Sequence, residues 1–348
     1  MEQNSASVVS VVVVNWNRRE LLRPCLESLA RQRGVVCEAI LVDNGSADGS
    51  AEMAEREFAG TGRLRLRVIR NRENRGFCAA NNQGIAAAAG AYVALLNNDA
   101  EADPDWLASL AAAFQARDVG MAASKILVYE DPRRIDKAGH LIYPDGQNRG
   151  RGSGEADRGQ YDQVEEVLWP DGCAAMYLRA MLERIGGFDE DFFAYADDAE
   201  LGLRARAAGW RCVYVPSAVV RHHRGASLGV GSLRRLMLIE RNRVLLAAKL
   251  FPWSLLLLNP FYSAARVMAG VWAALHGRGE TRHFAGPEGK LRMAAGLLWG
   301  GLAALPLVPK MLAKRRHIRR IRKLTPAELR RLILDHRISL RALMEQSV

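Results

Sequence analysis

The run VVSVVVVNWN (residues 8–17) is β-branched almost throughout and turns polar at Asn15. A strand that is apolar on successive residues, rather than on alternate ones, is covered on both faces, as in a parallel sheet flanked by helices. The next segment, RELLRPCLESLARQ, spaces Leu21, Leu22, Cys25, Leu26 and Leu29 as one face of a helix. CEAILVDNGS then gives a second buried strand ending in turn residues. The cycle repeats with LRLRVIRN as strand, FCAANNQGIAAAAG as helix and AYVALLNND as strand. Such alternation predicts βαβ units and an α/β, mostly parallel sheet.

In an open parallel sheet the ligand crevice lies beyond the carboxyl ends of the strands. Those ends carry Asn15 and Asn17, Asp43 and Asn44, Asn71 and Asn74, and Asn97, Asn98 and Asp99. No GxGxxG follows the first strand and no GxxxxGK[ST] occurs, so the dinucleotide and P-loop classes lack their phosphate cradles. Taken alone, Asp99 fits a solvated strand-to-helix loop as well as a binding role.

The chain has 348 residues, more than one typical domain, with 49% hydrophobic and 25% charged residues, values that exclude wholesale disorder. Residues 1–230 hold 27 Lys and Arg against 32 Asp and Glu, whereas the remainder holds 22 against 6. An acidic module is therefore joined to a strongly basic one, which suits nucleic acid, an anionic membrane surface or a polyanionic substrate. Five scattered cysteines without CxxC spacing argue against a disulfide framework and for a reducing compartment. The short Val8–Val14 run, preceded by an acidic segment, reads as a strand and not as a signal peptide.

Residues 128–165, rich in Gly, Asp and Arg, are expected to form a mobile insertion over the crevice or a plain surface loop. YADDAELGLRARAAGW (195–210) then places Asp197, Asp198 and Glu200 at a helix start. Capping and the helix dipole account for one such acid. Adjacent carboxylates whose environments separate their proton affinities can instead serve as proton acceptor and positioning partner. In VVRHHRGAS (219–227), the His pair is either a surface feature or a ligand source. Imidazole and Asp99 suit a divalent metal, and Arg221 and Arg224 suit a diphosphate.

The ordered series VSVVVVNWN, ILVDNGSADGS, NRENRGFCAANNQG, LLNNDA, GGFDEDFFAYADDAELGLRARAAGW and HHRGAS, over about residues 8–245, resembles the family 2 glycosyltransferases of GT-A fold. The series particularly resembles the bacterial rhamnosyltransferase-like branch, and ERNRVLLAAK (240–249) resembles the segment that follows its core. The resemblance implies a catalytic domain over 1–230, with a nucleotide-sugar half to about 125 and an acceptor half over 126–230. Residues 231–348 would form a helical, basic, membrane-associating region.

By position, the resemblance sets Asn15, Asn17 and Asp43 against the base and ribose of the donor. Asn44, Arg75, Gly76, Asn81, Asn97 and Asn98 fall on the remaining donor side. Asp99 and His222 would hold Mg²⁺ or Mn²⁺, Asp198 would be the general base with Asp197 in support, and Trp169, Asp171, Gly172 and Arg204 would face the acceptor. Inverting transfer from dTDP-rhamnose or a UDP-sugar to a lipid-linked or growing glycan is the implied reaction. Two positions depart from the family pattern. Asn97 replaces the first Asp of a DxD motif, leaving a weaker metal site completed by the diphosphate, and Asp197 stands where Glu is commoner. A sugar-phosphate nucleotidyltransferase would need a Gly-rich, basic loop after strand one, which NWNRRELLRP lacks. A non-catalytic nucleotide- or glycan-binding module of the same fold stays open.

In the basic tail, Pro252–Leu275 is interrupted by Asn259, Pro260 and Arg266, and Met293–Val308 contains Pro306 and falls short of the roughly 20 residues of a membrane span. Both are expected to be interfacial or re-entrant helices, the alternative being a buried hairpin of a soluble domain. Trp253, Trp272 and Trp299 suit the headgroup level, and KMLAKRRHIRRIRK (310–323) suits anionic lipid on the cytoplasmic face of a membrane. Nucleic acid is not an expected partner, because the tail lacks aromatic residues interleaved with its charges. In TPAELRRLILDHR (325–337), Thr325, Pro326 and Glu328 predict a capping box opening an amphipathic helix.

Overall fold

The computed structural model of the chain describes residues 9–58, 64–224, 232–276 and 286–345. Gly225 and Ser227 of the HHRGAS stretch lie outside the described residues. Strands β1 (Val9–Asn15), β2 (Cys37–Asp43), β3 (Arg65–Arg70) and β4 (Tyr92–Leu96) are parallel, in the order β3-β2-β1-β4. Helices α1 (Arg19–Ala30), α2 (Ser50–Phe58) and α3 (Phe77–Ala87) connect them. The strand order reverses at β1, so the chain leaves β1 and β4 in opposite directions and opens a crevice at their carboxyl ends.

The Val run is continuous because both faces of β1 are covered. Val9, Val11 and Val13 pack with Leu22, Leu26 and Leu29 on one side, and Val12 packs with Ile40, Val42 and Cys78 on the other. On that second side α3 lies close: a Cβ at Gly84 would stand 2.3 Å from a Val12 methyl. Any larger residue there would push helix and strand apart.

After β4 come β5 (Ala100–Ala102), α4 (Trp106–Ala111), β6 (Val119–Val128), β7 (Ile135–Lys137), β8 (His140–Ile142), β9 (Asn148–Gly150), β10 (Glu165–Val167), β11 (Ala174–Leu178), α5 (Arg179–Ile185), α6 (Asp197–Ala207) and β12 (Arg211–His222). β11 runs antiparallel between β4 and β6, β12 runs parallel to β6, and β10 closes the edge, so the sheet is mixed beyond β4.

Residues 128–165 are not a mobile cover. β7 pairs with β6, β8 with β9, and Ile135, Ala138 and Ile142 are fully buried. Lys125 ties the segment down through Asp157 (2.6 Å) and Asp162 (2.7 Å). The Gly and Asp content reflects tight turns between short strands, as at Gly139 with φ +87°, rather than disorder.

The tail forms α7 (Leu233–Leu250), α8 (Trp253–Leu256), α9 (Asn259–Leu275), α10 (Gly286–Ala304), α11 (Val308–Ile321), α12 (Pro326–Asp335) and α13 (Leu340–Glu345). Leu245, Leu246, Met311, Ile318 and Leu329 belong to the same buried cluster as Trp169 and Phe192, so the core is continuous across residue 230. The Thr325–Glu328 capping box is present. The apolar stretch 293–308 does not end at Pro306. It lies in one helical run, Glu288–Ile321, of 34 residues, long and apolar enough to cross a membrane by length and composition. Pro306 and Pro309 each stand in the first turn of a new helical segment, where the missing N–H costs no bond, so the run continues through them.

Candidate functional site

A cavity of about 630 Å³ opens beyond the carboxyl ends of β1 and β4. One wall comes from strand ends (Val14, Asn44, Asn97, Asn98, Asp99), another from β7, β8 and the start of α6, and a third, apolar wall from Leu236, Ile239, Val267, Val271, Met293 and Leu297 of the tail helices.

The amides at the strand ends brace one another. Asn98 Nδ2 donates to Asn15 Oδ1 (2.7 Å), and Asn15 Nδ2 lies 3.4 Å from Asp43 Oδ2 and 3.2 Å from Ser46 Oγ. Asp43 Oδ1 accepts from Ser46 N, and Asn17 Oδ1 accepts from Ala47 N, so both side chains fix the turn after β2. Asn44 Oδ1 receives the N–H of Arg75 at 3.1 Å, while the Arg75 side chain is exposed. Asn44, Gly76, Asn97, Asn98 and Asp99 line the cavity, whereas Asn15, Asn17, Asp43 and Arg75 support it from behind. Asn81 does not reach it: its amide is buried and donates to Phe77 O one turn earlier in α3.

Pairing of β5 with β12 sets His222 opposite Ala100 and so carries its ring to Asp99. Asp99 Oδ1 is buried, makes no hydrogen bond and lies 3.4 Å from His222 Nε2. His222 Nδ1 meets Asp136 Oδ2 at 2.7 Å, and Asp136 Oδ1 accepts from Arg224 Nε at 2.8 Å. Burial works against the His222 charge, but Cys173, Asp136 and Asp99 outweigh it and lift its pKa well above the ordinary value. Asp136 is held far below the usual carboxylate range despite burial, by Lys137, His222 and Arg224. With the Nε2 proton displaced, the imidazole and the buried Asp99 oxygen make a donor set that fits a divalent cation. Of the two arginines, only Arg224 reaches this pole, since strand alternation turns Arg221 to Asp103 (2.6 Å) on the other face. His223 likewise turns away, stacking on Tyr129 at 3.5 Å.

The acidic pole lies at the start of α6. Asp198 accepts from Ala199 N (2.7 Å) and Gly172 N (3.3 Å). His140 Nε2 lies 2.8 Å from Asp171 Oδ2 and 3.4 Å from Asp198 Oδ2, and Lys137 Nζ lies 2.7 Å from Asp171 Oδ2. Among the described residues, His140, Asp171 and Asp198 also form a group spaced to hold a metal; the ammonium of Lys137 already neutralises much of its charge. Burial raises the Asp198 pKa, with His140 opposing, and burial with the neighbouring Asp198 raises Asp197 much further. Asp171, by contrast, is held well below the carboxylate range against its burial, by Lys137 and His140. Burial and neighbouring charges thereby pull the proton affinities of the three carboxylates apart, lowest at Asp171 and highest at Asp197.

Phe193, Tyr195 and Ala196, just before α6, all have positive φ (64°, 69° and 54°). Such backbone costs about 1–3 kcal/mol per residue and persists only where neighbours enforce it. Asn242 of α7 enforces it, donating to the carbonyls of Phe192 (2.9 Å), Ala194 (2.8 Å) and Tyr195 (2.7 Å).

Two residues expected on the acceptor side lie elsewhere. Trp169 is fully buried behind His140, at 5.8 Å between ring centres. Arg204 forks onto Glu200 (2.8 and 2.9 Å) and the carbonyls of Ile185, Gly186 and Gly187, so it locks α6 to the turn after α5. Asp171 and Gly172 do line the cavity. Asp136, Lys137 and His140, in the segment 128–165, carry no periodic signal. Their only mark was chemical, three titratable residues within IDKAGH.

The cavity sits at the strand ends of a Rossmann-like, GT-A-like core. The model of the family "Glycosyl transferase family 2" matches residues 10–186, and the chain belongs to that family. It is a family 2 glycosyltransferase. A curated relative, "Uncharacterized protein y4gI" of Sinorhizobium fredii, is 32% identical over 64% of this chain, and the match spans 25% of that protein's length. The N-acetylglucosaminyl-diphospho-decaprenol L-rhamnosyltransferase of Mycobacterium tuberculosis is 28% identical over 64% of this chain and 78% of its own. Among solved structures, a mannosyltransferase from Pyrobaculum calidifontis, in complex with GDP-Man and Mn²⁺, aligns with TM-score 0.52 and 19% identity over 91% of this chain and 86% of that one. GalNAc-T7 with UDP, GalNAc and Mn²⁺ aligns with TM-score 0.54 and 17% identity over 64% of this chain and 44% of that one.

Proposed function

We propose that the chain transfers a sugar, with inversion, from dTDP-rhamnose or a UDP-sugar to a hydroxyl of a lipid-linked or growing glycan at the cytoplasmic face of a membrane. One observation carries the reading: Asp99 with its unsatisfied oxygen and Asp198 with its raised proton affinity line the same cavity. Asn44, Gly76, Asn97 and Asn98 would hold the nucleotide side, braced by Asn15, Asn17 and Asp43. Asp99 and His222 would hold Mg²⁺ or Mn²⁺, which when bound supplies positive charge against the donor diphosphate.

Asp198 would take the proton from the acceptor hydroxyl as that oxygen bonds to the anomeric carbon. The carbon–oxygen bond to the diphosphate breaks on the opposite face, and its electron pair leaves with the nucleoside diphosphate. Arg224, next to the metal pole, would add charge against the leaving group. The apolar wall beside the carboxylates supports a lipid-linked acceptor, and the mycobacterial relative is a transferase to a diphospho-decaprenol-linked sugar.

Thermal melts of the purified chain with dTDP-rhamnose and with UDP-sugars, each with Mg²⁺, Mn²⁺ or chelator, test the reading, because a ligand of the native state raises Tm by mass action. A metal-dependent rise with one donor, matched by its transfer to a lipid-linked acceptor, is expected. No rise with any donor and either ion overturns it.

A further inference from the structure

The segment that joins the two poles of the cavity is Ile135–His140, a strand, a glycine turn and the start of a second strand. Its residues alternate between tasks. Asp136 bonds His222 and Arg224 at the metal pole, while Lys137 and His140 reach the acidic pole. Only His140 approaches Asp198 itself.

The imidazole is held on every side. Its face stacks on Trp169 with an interplanar angle of 21°, and its Nε2 faces Asp171 Oδ2 at 2.8 Å. Nδ1 is buried and has no hydrogen-bond partner. The proton of a neutral ring therefore belongs on Nε2, where it is donated to Asp171 Oδ2 and leaves Asp198 Oδ2 in contact at 3.4 Å, since a protonated Nδ1 would be a buried donor without an acceptor. Asp171 is fixed in turn by Lys137 and by Cys173 N (2.8 Å). Asp198 is thus bounded by two backbone N–H groups and one immobilised imidazole.

We propose that His140 is a positioning residue for the transfer reaction: its ring, pinned by the Nε2 hydrogen bond to Asp171 and by Trp169, abuts Asp198 Oδ2 and restrains that carboxylate in the orientation that meets an acceptor hydroxyl, with Lys137 fixing Asp171. The inference rests on the assignment of Asp198 as base. His140 itself exchanges no proton with substrate. The proton taken from the acceptor stays on Asp198 until the product leaves, and then passes to solvent.

Two variants test it. His140→Leu removes the donor, and His140→Gln restores an N–H at about the reach of Nε2. Transfer would be followed at saturating donor, and binding of the same donor with Mn²⁺ by calorimetry. The expected result is a fall in kcat of about 10²-fold for His140→Leu, the scale of a misplaced reacting group. Donor affinity would stay within twofold, and His140→Gln would recover most of the rate. Parental kcat in folded His140→Leu overturns the proposal, as does a Gln variant that falls as far as Leu while binding donor normally. Loss of donor binding in both variants also overturns it, since that marks a structural role. A parent chain that binds donor but shows no transfer overturns the proposed function itself, and the inference with it.

Discussion

Asp99 Oδ1 stands 3.4 Å from His222 Nε2, and the far nitrogen of that ring is anchored 2.7 Å from Asp136. The carboxylate oxygen is buried and makes no hydrogen bond beside that long ion pair, which leaves it available to a cation. Asp99→Ala is therefore expected to abolish the metal-dependent part of donor binding. Asp48→Ala serves as control, since its carboxylate accepts from Arg19 N and Ser50 N outside the cavity and only fixes a turn. The Tm rise with donor and Mn²⁺, with and without chelator, measures both; an equal rise under chelator in the parent speaks against the assignment. Asn97→Asp, which adds an anionic group at the cavity wall, is expected to tighten the ion.

Asp198→Asn is expected to keep fold and donor binding and to lower transfer by about 10²–10⁴-fold, the usual contribution of a general base. Loss of a helix cap would not explain such a fall, because the cap position of α6 is Ala196 and Asp198 stands one residue inside Asp197. Asp197→Asn is expected to be mild. Burial and its acidic neighbour already hold Asp197 toward the neutral acid, which an amide resembles. Transfer at saturating donor decides the point, and near-parental turnover in Asp198→Asn leaves the acid pair as structure.

How much of this was legible depended on whether neighbours in sequence were also neighbours in space. The parallel half was readable because burial on both faces of β1 and β2 writes itself as unbroken runs of Val, Ile and Leu. The polar ends of those strands fell together because the βαβ repeat places them on one edge. Arg204 misled because Asp197 and Asp198 precede it along α6, yet the helix turns its fork to the opposite side, onto Glu200 and three carbonyls. Arg221 misled in the same way on a strand. His140 was hidden because short strands of three residues, such as Ile135–Lys137 and His140–Ile142, carry no period that a window can detect. The tail helix was underestimated because Pro306 reads as a stop in sequence, while in space it opens the next turn.

The strained turn before α6 gives a second handle on the base. Asn242 supplies hydrogen bonds to three carbonyls there, so Asn242→Ala leaves those of Ala194 and Tyr195 with no side-chain donor, while Phe192 O keeps Arg241 Nη2 (2.8 Å). A loss of about 2 kcal/mol is expected in urea melts, together with slower transfer as the acid pair shifts. Unchanged stability and rate would show that Phe193–Ala196 keeps its backbone without α7.

Asp189 anchors the tail to the catalytic core through Lys249 (2.6 Å) and Lys314 (2.5 and 2.6 Å). Burial pulls its pKa upward, but the two lysines prevail and lower it to about 2, against 3.8 for the free side chain. Because the folded value is depressed, the stabilisation is complete above the unfolded pKa and is lost as pH falls through the folded one. At neutral pH it amounts to about 2 kcal/mol, at 1.36 kcal/mol per pH unit of difference. Asp189→Asn is thus expected to be less stable than the parent at pH 7, with the gap closing between about pH 4 and pH 2. A gap that does not vary with pH counts against the ion pairs as its source.

The tail presents an apolar surface that no other described residue covers. Phe261 is 73% exposed, Leu298 61% and Trp299 54%, on α9 and α10. Arg316, Arg319 and Arg320 are exposed on the helix that continues α10. An apolar face followed by a basic one suits a helix lying at an anionic lipid surface. With about 1 kcal/mol per basic residue near such a surface, replacing all three arginines by Gln is expected to weaken binding to vesicles containing phosphatidylglycerol by about 10²-fold. Binding to neutral phosphatidylcholine vesicles should change little. Trp299→Ser together with Leu298→Ser should weaken both, since the apolar contribution does not depend on headgroup charge. Sedimentation with vesicles at low and high salt measures these effects. If the parent resists release by salt and requires detergent, Glu288–Ile321 crosses the bilayer and the surface-bound arrangement is wrong.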